Sequence, residues 1–456
     1  MSNIFRDYDI RGIYPDEINI SIAERVGNAV AVFYGAKKII VGEDGRLSSP
    51  DLRGGLIRGI RKAGADVLFI GQVTTPLFYF ASKKLKADTG IMITASHNPP
   101  QYNGLKIVGP NGVPVGLDSS LSDIKAVFDG GDLKTAEKEG RLLETTGIVG
   151  DYADFLINVA GIKKWNTNLK LVADAGNGVA SVVLKPLLDR LNVNYVPLFF
   201  DIDGNFPGRG PDPVKAGATD ILRSKVLSEK ADLGVAFDGD ADRMTVVDKS
   251  GNIVESQYVL GILWRGEKGL FGFPKVVYDL RFSRSVKELF GRYGYRSKIG
   301  HNHIRRTALD VKAELAGETS GHFYFRKLDY AESVNLALLK LLKMVSKKPL
   351  SALTAGFKKY SYSGDINIET GDKRQATSIL TKLKEKYENG KISELDGLTV
   401  EYWDEMPIGR RWWFNIRPSN TEPLLRLVVE ANTKDLMDKK VSELVSEIKR
   451  APQSEQ

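Results

Sequence analysis

Asp238-Gly239-Asp240-Ala241-Asp242 sets three carboxylates at alternate positions of one short segment. Three such charges repel one another unless a cation offsets them. All-oxygen ligation suits a hard ion, and Mg²⁺ keeps octahedral geometry while leaving positions for phosphate oxygens. An EF-hand loop also opens with alternating aspartates, but it requires a glycine next and a glutamate at its last ligand position. Arg243 and Lys249 stand in those places. The apolar run Leu233 to Phe237 reads as a strand that ends at the trio. Metal binding is therefore favoured over a plain solvated acidic turn.

Ser96 is the second reactive side chain. Ile91-Met92-Ile93 reads as a buried strand that stops at Thr94-Ala95-Ser96-His97-Asn98-Pro99-Pro100. Proline cannot continue a ladder, and it pushes its predecessor to extended geometry. A stiff loop then holds Ser96 out at a strand end beside His97, as a nucleophile requires. For an isolated Ser-His pair, a hydroxyl-capped turn is the ordinary alternative. Arg417-Pro418-Ser419-Asn420-Thr421 gathers a guanidinium, two hydroxyls, an amide and loop backbone donors, the equipment for a phosphate dianion. A capped polar turn has the same composition. The four histidines, His97, His301, His303 and His322, all fall in segments read as loops. None forms a zinc-type H-x-x-x-H spacing, so they read as substrate contacts or proton carriers, with a structural role equally open to His303.

The elements that must position these residues are short apolar runs alternating with helical patterns, an α/β architecture with mostly parallel sheets. Strands are expected at 38–42, 65–71, 90–93, 169–173, 195–199, 233–237, 276–278 and 295–299. Helices are expected at 50–63, 76–85, 179–191, 216–228, 283–294 and 331–344. Strands ending in aspartate recur at Asp44, Asp174, Asp238 and Asp279, which points to duplicated domains without a regular repeat. From about Ser363 the pattern changes to a small α+β domain.

With 456 residues the chain is long enough for several domains. Its 42% hydrophobic and 27% charged residues are those of an ordinary globular protein. No apolar run reaches membrane-spanning length, and Met1 to Asp7 lacks signal-peptide character, so no membrane partner and a cytoplasmic location are expected. The absence of cysteine excludes disulfides, thiolate catalysis and cysteine metal sites. A net charge of +8 suits an anionic partner. The lysines are scattered and no nucleic-acid-binding pattern appears; most read as solvated surface, and charge alone does not choose between nucleic acid and a phosphorylated metabolite.

Taken together, four motifs make the sequence similar to the α-D-phosphohexomutases over nearly its whole length. Thr94 to Pro99 resembles the family's phosphoserine loop, and Asp238 to Arg243 its Mg²⁺ loop. Gly317-Glu318-Thr319-Ser320-Gly321-His322 resembles the sugar-recognition loop, and Arg417 to Pro423 the phosphate-binding loop. The resemblance implies three similar α/β domains (1–147, 148–250 and 251–362) and a smaller α+β domain (363–456) around a central cleft. It implies phosphoryl transfer between Ser96 and a hexose monophosphate, through a hexose 1,6-bisphosphate that is also the activator. Ser96, Asp238, Asp240 and Asp242 would hold Mg²⁺. Arg243 would add a cation, and Lys106, assisted by His97, would serve as general acid and base, for which its pKa must be depressed. Glu318, Ser320 and His322 would contact the sugar, with Tyr8, Arg11 and His301 also in the cleft. Arg417, Ser419, Asn420 and Thr421 would hold the phosphate that is not reacting.

Tyr8-Asp9-Ile10-Arg11 resembles the phosphomannomutase/phosphoglucomutase branch, whereas Gly208-Arg209-Gly210 replaces a histidine-containing stretch of that branch and Thr319 is usual in neither. A phosphoglucosamine mutase is the alternative, and a Mg²⁺-dependent sugar-phosphate phosphatase a more distant one. Either a monomer or a homodimer is compatible with the resemblance.

Overall fold

The computed structural model of the chain describes residues 4–165, 167–270, 272–370, 373–419 and 424–450. These fall into two compact units, one of residues 1–272 with 314–353 and one of residues 273–313 with 354–456. Residues 251–362 thus contribute to both.

In the first unit, one sheet of six strands runs in the order Ile10–Ile13, Tyr102–Val108, Thr89–Ile93, Lys38–Glu43, Asp66–Gln72, Leu142–Glu144. The strands from Thr89–Ile93 onward pair in parallel, and Tyr102–Val108 runs antiparallel to its two neighbours. The central strands are fully buried β-branched runs such as Ile39, Ile40 and Val41, the pattern of strands covered on both faces. The helices Ile20–Tyr34 and Ser49–Lys62 place Val26, Val30, Leu56 and Ile60 in the same core.

A second sheet has the order Ile253–Val254, Met244–Asp248, Leu233–Phe237, Lys170–Asp174, Asn194–Leu198. Its last three strands are parallel, and the hairpin return Met244–Asp248 is antiparallel. Both sheets are therefore mixed, with parallel centres that aim strand carboxyl ends at the loops carrying chemistry. The antiparallel hairpin Leu315–Gly317 and Phe323–Phe325 also lies in this unit.

The second unit contains the parallel pair Val276–Asp279 and Gly294–Ser297. It also contains an antiparallel sheet of Ser361–Tyr362, Leu424–Ala431, Trp412–Pro418, Leu398–Tyr402 and Lys391–Ser393, with Ile366–Glu369 also paired to Leu424–Ala431. Ile379 and Leu383 from one helix and Leu444 and Ile448 from another pack on the apolar face formed by Val400, Phe414, Ile416 and Leu427. This is the expected α+β character.

Most expected elements appear within a few residues. The expected helix 283–294 ends earlier: it is α-helical over Arg284–Phe290 and tightens to a 3₁₀ turn at Gly291–Tyr293, where Gly291 takes a positive φ of 51°. Among the described residues no helix is long and apolar enough to cross a membrane.

Candidate active site

Beyond the end of the strand Thr89–Ile93, Ser96 adopts φ 50°, the left-handed region that side chains rarely enter. It is buried. Thr94 Oγ1 accepts the Ser96 backbone N–H at 2.8 Å. The larger restraint is Arg46, a buried residue whose part the sequence reading missed. Its Nη2 donates to the carbonyls of Ser96 and Asn98 at 2.8 and 2.7 Å, and its Nη1 to those of Pro99 and Tyr102 at 2.8 and 2.9 Å. Its Nε donates to Asp44 Oδ2 at 3.1 Å. That accounts for every donor a guanidinium has, so the serine loop is held by three of its own carbonyls and tied to the start of the strand Tyr102–Val108 by a fourth. The available signal was the spacing Asp44-Gly45-Arg46 after a strand, read only as the strand's end. Ser96 Oγ itself donates to Asp238 Oδ2 at 2.8 Å and faces His97 Nδ1 at 3.3 Å.

Asp238, Asp240 and Asp242 lie between the strands Leu233–Phe237 and Met244–Asp248, not between helices. All three are buried, and they offer ligand atoms within 4.8 Å of one another. Asp238 Oδ1 accepts the backbone N–H groups of Asp242 and Arg243 at 3.0 Å each. Asp240 Oδ2 accepts from Thr75 Oγ1 and Lys106 Nζ, both at 2.7 Å. Asp240 Oδ1 is buried and has no hydrogen-bond partner among the described residues. A buried acceptor left that way is costly, and a hard cation would satisfy it. Burial, then repulsion from Asp242 and Asp240, pushes the Asp238 carboxyl well above its usual range. The donor set and the concentration of charge both fit a divalent oxygen-loving ion.

Gly239 allows the two loops to meet: a Cβ there would lie 2.6 Å from the Ser96 carbonyl oxygen. His97 is half-buried. Burial, followed by the Arg243 and Arg11 guanidiniums, lowers its pKa to about 2, so its imidazole is neutral. Lys106 reaches the acidic loop. It sits on Tyr102–Val108 opposite Met92, and its ammonium donates to Asp240 Oδ2 at 2.7 Å and Asp242 Oδ2 at 2.6 Å. Burial works to lower its pKa, but Asp240 and Asp242 outweigh burial and hold it well above the ordinary lysine value. A depressed pKa, as expected from the sequence, would need the charge of Mg²⁺ beside these carboxylates.

The segment Glu318 to His322 closes on itself, the Glu318 N–H donating to the His322 carbonyl and the Gly321 N–H to that of Glu318, each at 3.1 Å. The Met244 N–H donates to the Gly321 carbonyl at 3.1 Å, which ties this turn to the end of the acidic loop. Tyr324 donates to Glu318 Oε1. Ser320 Oγ lies 2.8 Å from His322 Nδ1, and His322 Nε2 lies 3.3 Å from Asp242 Oδ1. Arg11 Nη1 donates to Asn98 Oδ1 at 2.7 Å and the same guanidinium pairs with Asp9. Half-buried Tyr8 lies in that N-terminal segment. The first unit thus brings together the serine loop, the acidic loop, Lys106, Arg11 and the 318–322 turn.

Family profiles match the chain in four successive blocks. Phosphoglucomutase/phosphomannomutase alpha/beta/alpha domains I, II and III match residues 2–134, 150–251 and 256–360, and the C-terminal domain matches 366–447. The chain belongs to the phosphoglucomutase/phosphomannomutase family. A phosphomannomutase of Methanocaldococcus jannaschii is 36% identical over 452 residues, covering 97% of this chain and 96% of that one. A phosphomannomutase/phosphoglucomutase of Pseudomonas aeruginosa is 33% identical over 448 residues, with 96% and 94% covered. A solved structure of a family protein from Burkholderia thailandensis superposes with TM-score 0.86 at 30% identity, over 99% of this chain and 98% of that one. Membership places the chain among isomerases that work by phosphoryl transfer.

The second unit carries the remaining residues read from the sequence. His301 and His303 lie in the first turn of the helix His301–Val311, not in a loop. The helical pattern after them is carried by only Ile304 and Ala308 on the buried side, too few apolar positions to be read as a helix. Arg417 is the next-to-last residue of the strand Trp412–Pro418 and stands directly opposite Arg426. Like charges in that register repel. Arg417 is buried, and its Nη2 has no hydrogen-bond partner among the described residues. Burial, then the charge of Arg281, lowers its pKa. Such a group could take an anion. Ser419 follows, its N–H donating to the Leu424 carbonyl at 2.8 Å; Asn420 and Thr421 lie outside the described residues.

Proposed function

We propose that this member of the family interconverts hexose 1-phosphate and hexose 6-phosphate, with glucose and mannose as the sugars, through phospho-Ser96 and a hexose 1,6-bisphosphate. The observation that carries this reading is the 2.8 Å hydrogen bond from Ser96 Oγ to Asp238, which joins a nucleophile to a buried acidic trio. A free sugar hydroxyl attacks the phosphorus on Ser96, the bond from phosphorus to Ser96 Oγ breaks, and the serine oxygen takes up a proton. The second half reverses these changes with the other phosphate of the bisphosphate. Half-buried Lys106 is the proton donor and acceptor in this scheme, taking the proton of the attacking hydroxyl in its neutral form and giving one to the serine oxygen; for that, bound Mg²⁺ must offset the pull of Asp240 and Asp242 on its ammonium. Neutral His97 assists as a hydrogen-bond partner of the serine oxygen.

Asp238, Asp240 and Asp242, together with Ser96, are the proposed ligands of Mg²⁺, which when bound offsets charge developing on the transferring group. Arg243, whose Nε has no hydrogen-bond partner among the described residues, supplies a second positive charge. Glu318, Ser320 and His322 take the sugar hydroxyls. Tyr8, Arg11 and His301 are further substrate contacts, and Arg417, Ser419, Asn420 and Thr421 are the phosphate grip. The proposal keeps the four domains 1–147, 148–250, 251–362 and 363–456.

Gly208-Arg209-Gly210, a departure from the phosphomannomutase/phosphoglucomutase branch, has a local explanation. Arg209 Nε donates to Asp174 Oδ2 at 2.8 Å and Nη2 to the Phe237 carbonyl at 2.5 Å, so the side chain is a buried strut. Side-by-side turnover of glucose, mannose and glucosamine phosphates ranks the sugars.

Incubation with glucose 1-phosphate, Mg²⁺ and a trace of glucose 1,6-bisphosphate yields glucose 6-phosphate if the reading holds. Inorganic phosphate as the main product would make the protein a hydrolase. Ser96→Ala abolishes turnover and, by intact mass, the adduct of about 80 Da that one phosphoryl group adds.

A further inference from the structure

Thr75 is far from every segment that spells out the chemistry, yet it touches the acidic loop twice. Its backbone N–H donates to the Asp240 carbonyl at 2.9 Å and its Oγ1 to Asp240 Oδ2 at 2.7 Å. The side chain is buried and Thr75 opens the helix Thr75–Lys84, with Thr74 Oγ1 capping the Leu77 N–H. An N–H in the first turn of a helix has no partner inside the helix, and here it is spent on the acidic loop. The partial positive charge of a helix N-terminus also favours nearby carboxylates.

The two oxygens of Asp240 are treated unequally. Oδ2 accepts from both Thr75 and Lys106, whereas Oδ1 is buried without a partner among the described residues. Lys106 alone would not separate them, because its ammonium is shared with Asp242 and swings on a flexible stem. The Thr75 hydroxyl is held on the first turn of a helix and fixes the carboxylate's rotation.

We propose that Thr75 is a positioning residue that selects Asp240 Oδ1 as the oxygen offered to a divalent cation. The inference rests on the metal reading above and deepens it: the outer partner of a ligand orients it, and removing such a partner typically costs about 10–100-fold in metal affinity.

The test is direct Mn²⁺ titration of the full-length protein by electron paramagnetic resonance, without substrate. Thr75→Val keeps the shape and removes the hydroxyl; it should bind Mn²⁺ at least about tenfold more weakly than wild type. Thr75→Ser restores the donor and should come within about twofold. Thermal melts of the three should coincide closely, and saturating metal should recover most of the kcat of Thr75→Val, since only the cation's hold is weakened. Should Thr75→Val misfold, Thr75→Ala removes the same hydroxyl without added bulk and must show the same loss. Unchanged Mn²⁺ affinity in the variant lacking the hydroxyl overturns the role of Thr75 while leaving the metal site standing. Failure of the wild type to bind Mn²⁺ overturns the metal reading and this inference with it.

Discussion

Gly239→Ala is the sharpest perturbation available, because it adds one methyl group where the serine loop and the acidic loop meet. Gly239 does not lie in the left-handed region, so alanine meets no backbone penalty there. Its Cβ would stand 2.6 Å from the Ser96 carbonyl oxygen, while its next neighbours, Phe206 and Pro211, are at an ordinary 3.5 Å. The Ser96 carbonyl cannot yield freely, since Arg46 Nη2 holds it at 2.8 Å. Ordinary contact begins near 3.4 Å, so the loops must part by about 0.8 Å, the shortfall from van der Waals contact that overpacking imposes. The 2.8 Å bond from Ser96 Oγ to Asp238 then opens towards 3.6 Å, a length at which no hydrogen bond remains. A misplacement near 1 Å costs on the order of 100-fold in rate, or about 2.7 kcal/mol. The assay is conversion of glucose 1-phosphate in the presence of bisphosphate and Mg²⁺, followed by coupled oxidation of glucose 6-phosphate. A fall of about 100-fold in kcat is expected, with a stability loss of only about 1–3 kcal/mol in urea. A kcat within threefold of wild type, in a folded variant, would refute the claim that this close approach sets the geometry of transfer.

Arg46→Lys keeps the charge and gives up two of the five donors, leaving buried carbonyls of the serine loop unmet. A destabilisation of about 3 kcal/mol or more is expected, read as a lowered urea midpoint, together with loss of Ser96 phosphorylation by intact mass. Glu318→Ala should raise KM and lower kcat while leaving Ser96 phosphorylated, because Glu318 touches Tyr324 and the turn rather than the serine; loss of the phosphate adduct would count against its place at the sugar. Glu43 has its pKa raised from 4.5 to about 7, chiefly by burial, despite its 2.7 Å ion pair with Arg53. Its folded pKa lies above the unfolded one, so the contribution is fully present below pH 4.5 and is lost as pH rises through about 7. Glu43→Gln should therefore flatten the fall in melting temperature between pH 5 and pH 8, and an unchanged slope would contradict the assignment.

The acidic trio, the serine between a strand and two prolines, and the alternation of strands and helices were legible because each is local. Charge spacing, chain stiffness and hydrophobic period act within about ten residues. Lys106 was found only through resemblance, since nothing in Asn103-Gly104-Leu105-Lys106 announces a strand that lays its ammonium between Asp240 and Asp242. Thr75 carried no readable signal of its role and Arg46 only its spacing from Asp44, because their partners lie 165 and about 50 positions away.

The four strand-ending aspartates mark the division between the two kinds of information. In sequence they are alike. In the fold Asp44 is matched by Arg46, Asp174 by Arg209 and Asp279 by Arg281, each as a close ion pair. Asp238 has instead the Ser96 hydroxyl at 2.8 Å and the Arg243 guanidinium only at 3.9 Å. Composition and spacing determined that carboxylates would stand at sheet ends where helices and loops converge. Which of them would be neutralised by a buried guanidinium, and which left facing a serine hydroxyl, depended on contacts between distant segments. A carboxylate's chemistry follows from the charges packed around it, and those charges are assembled only when the chain folds.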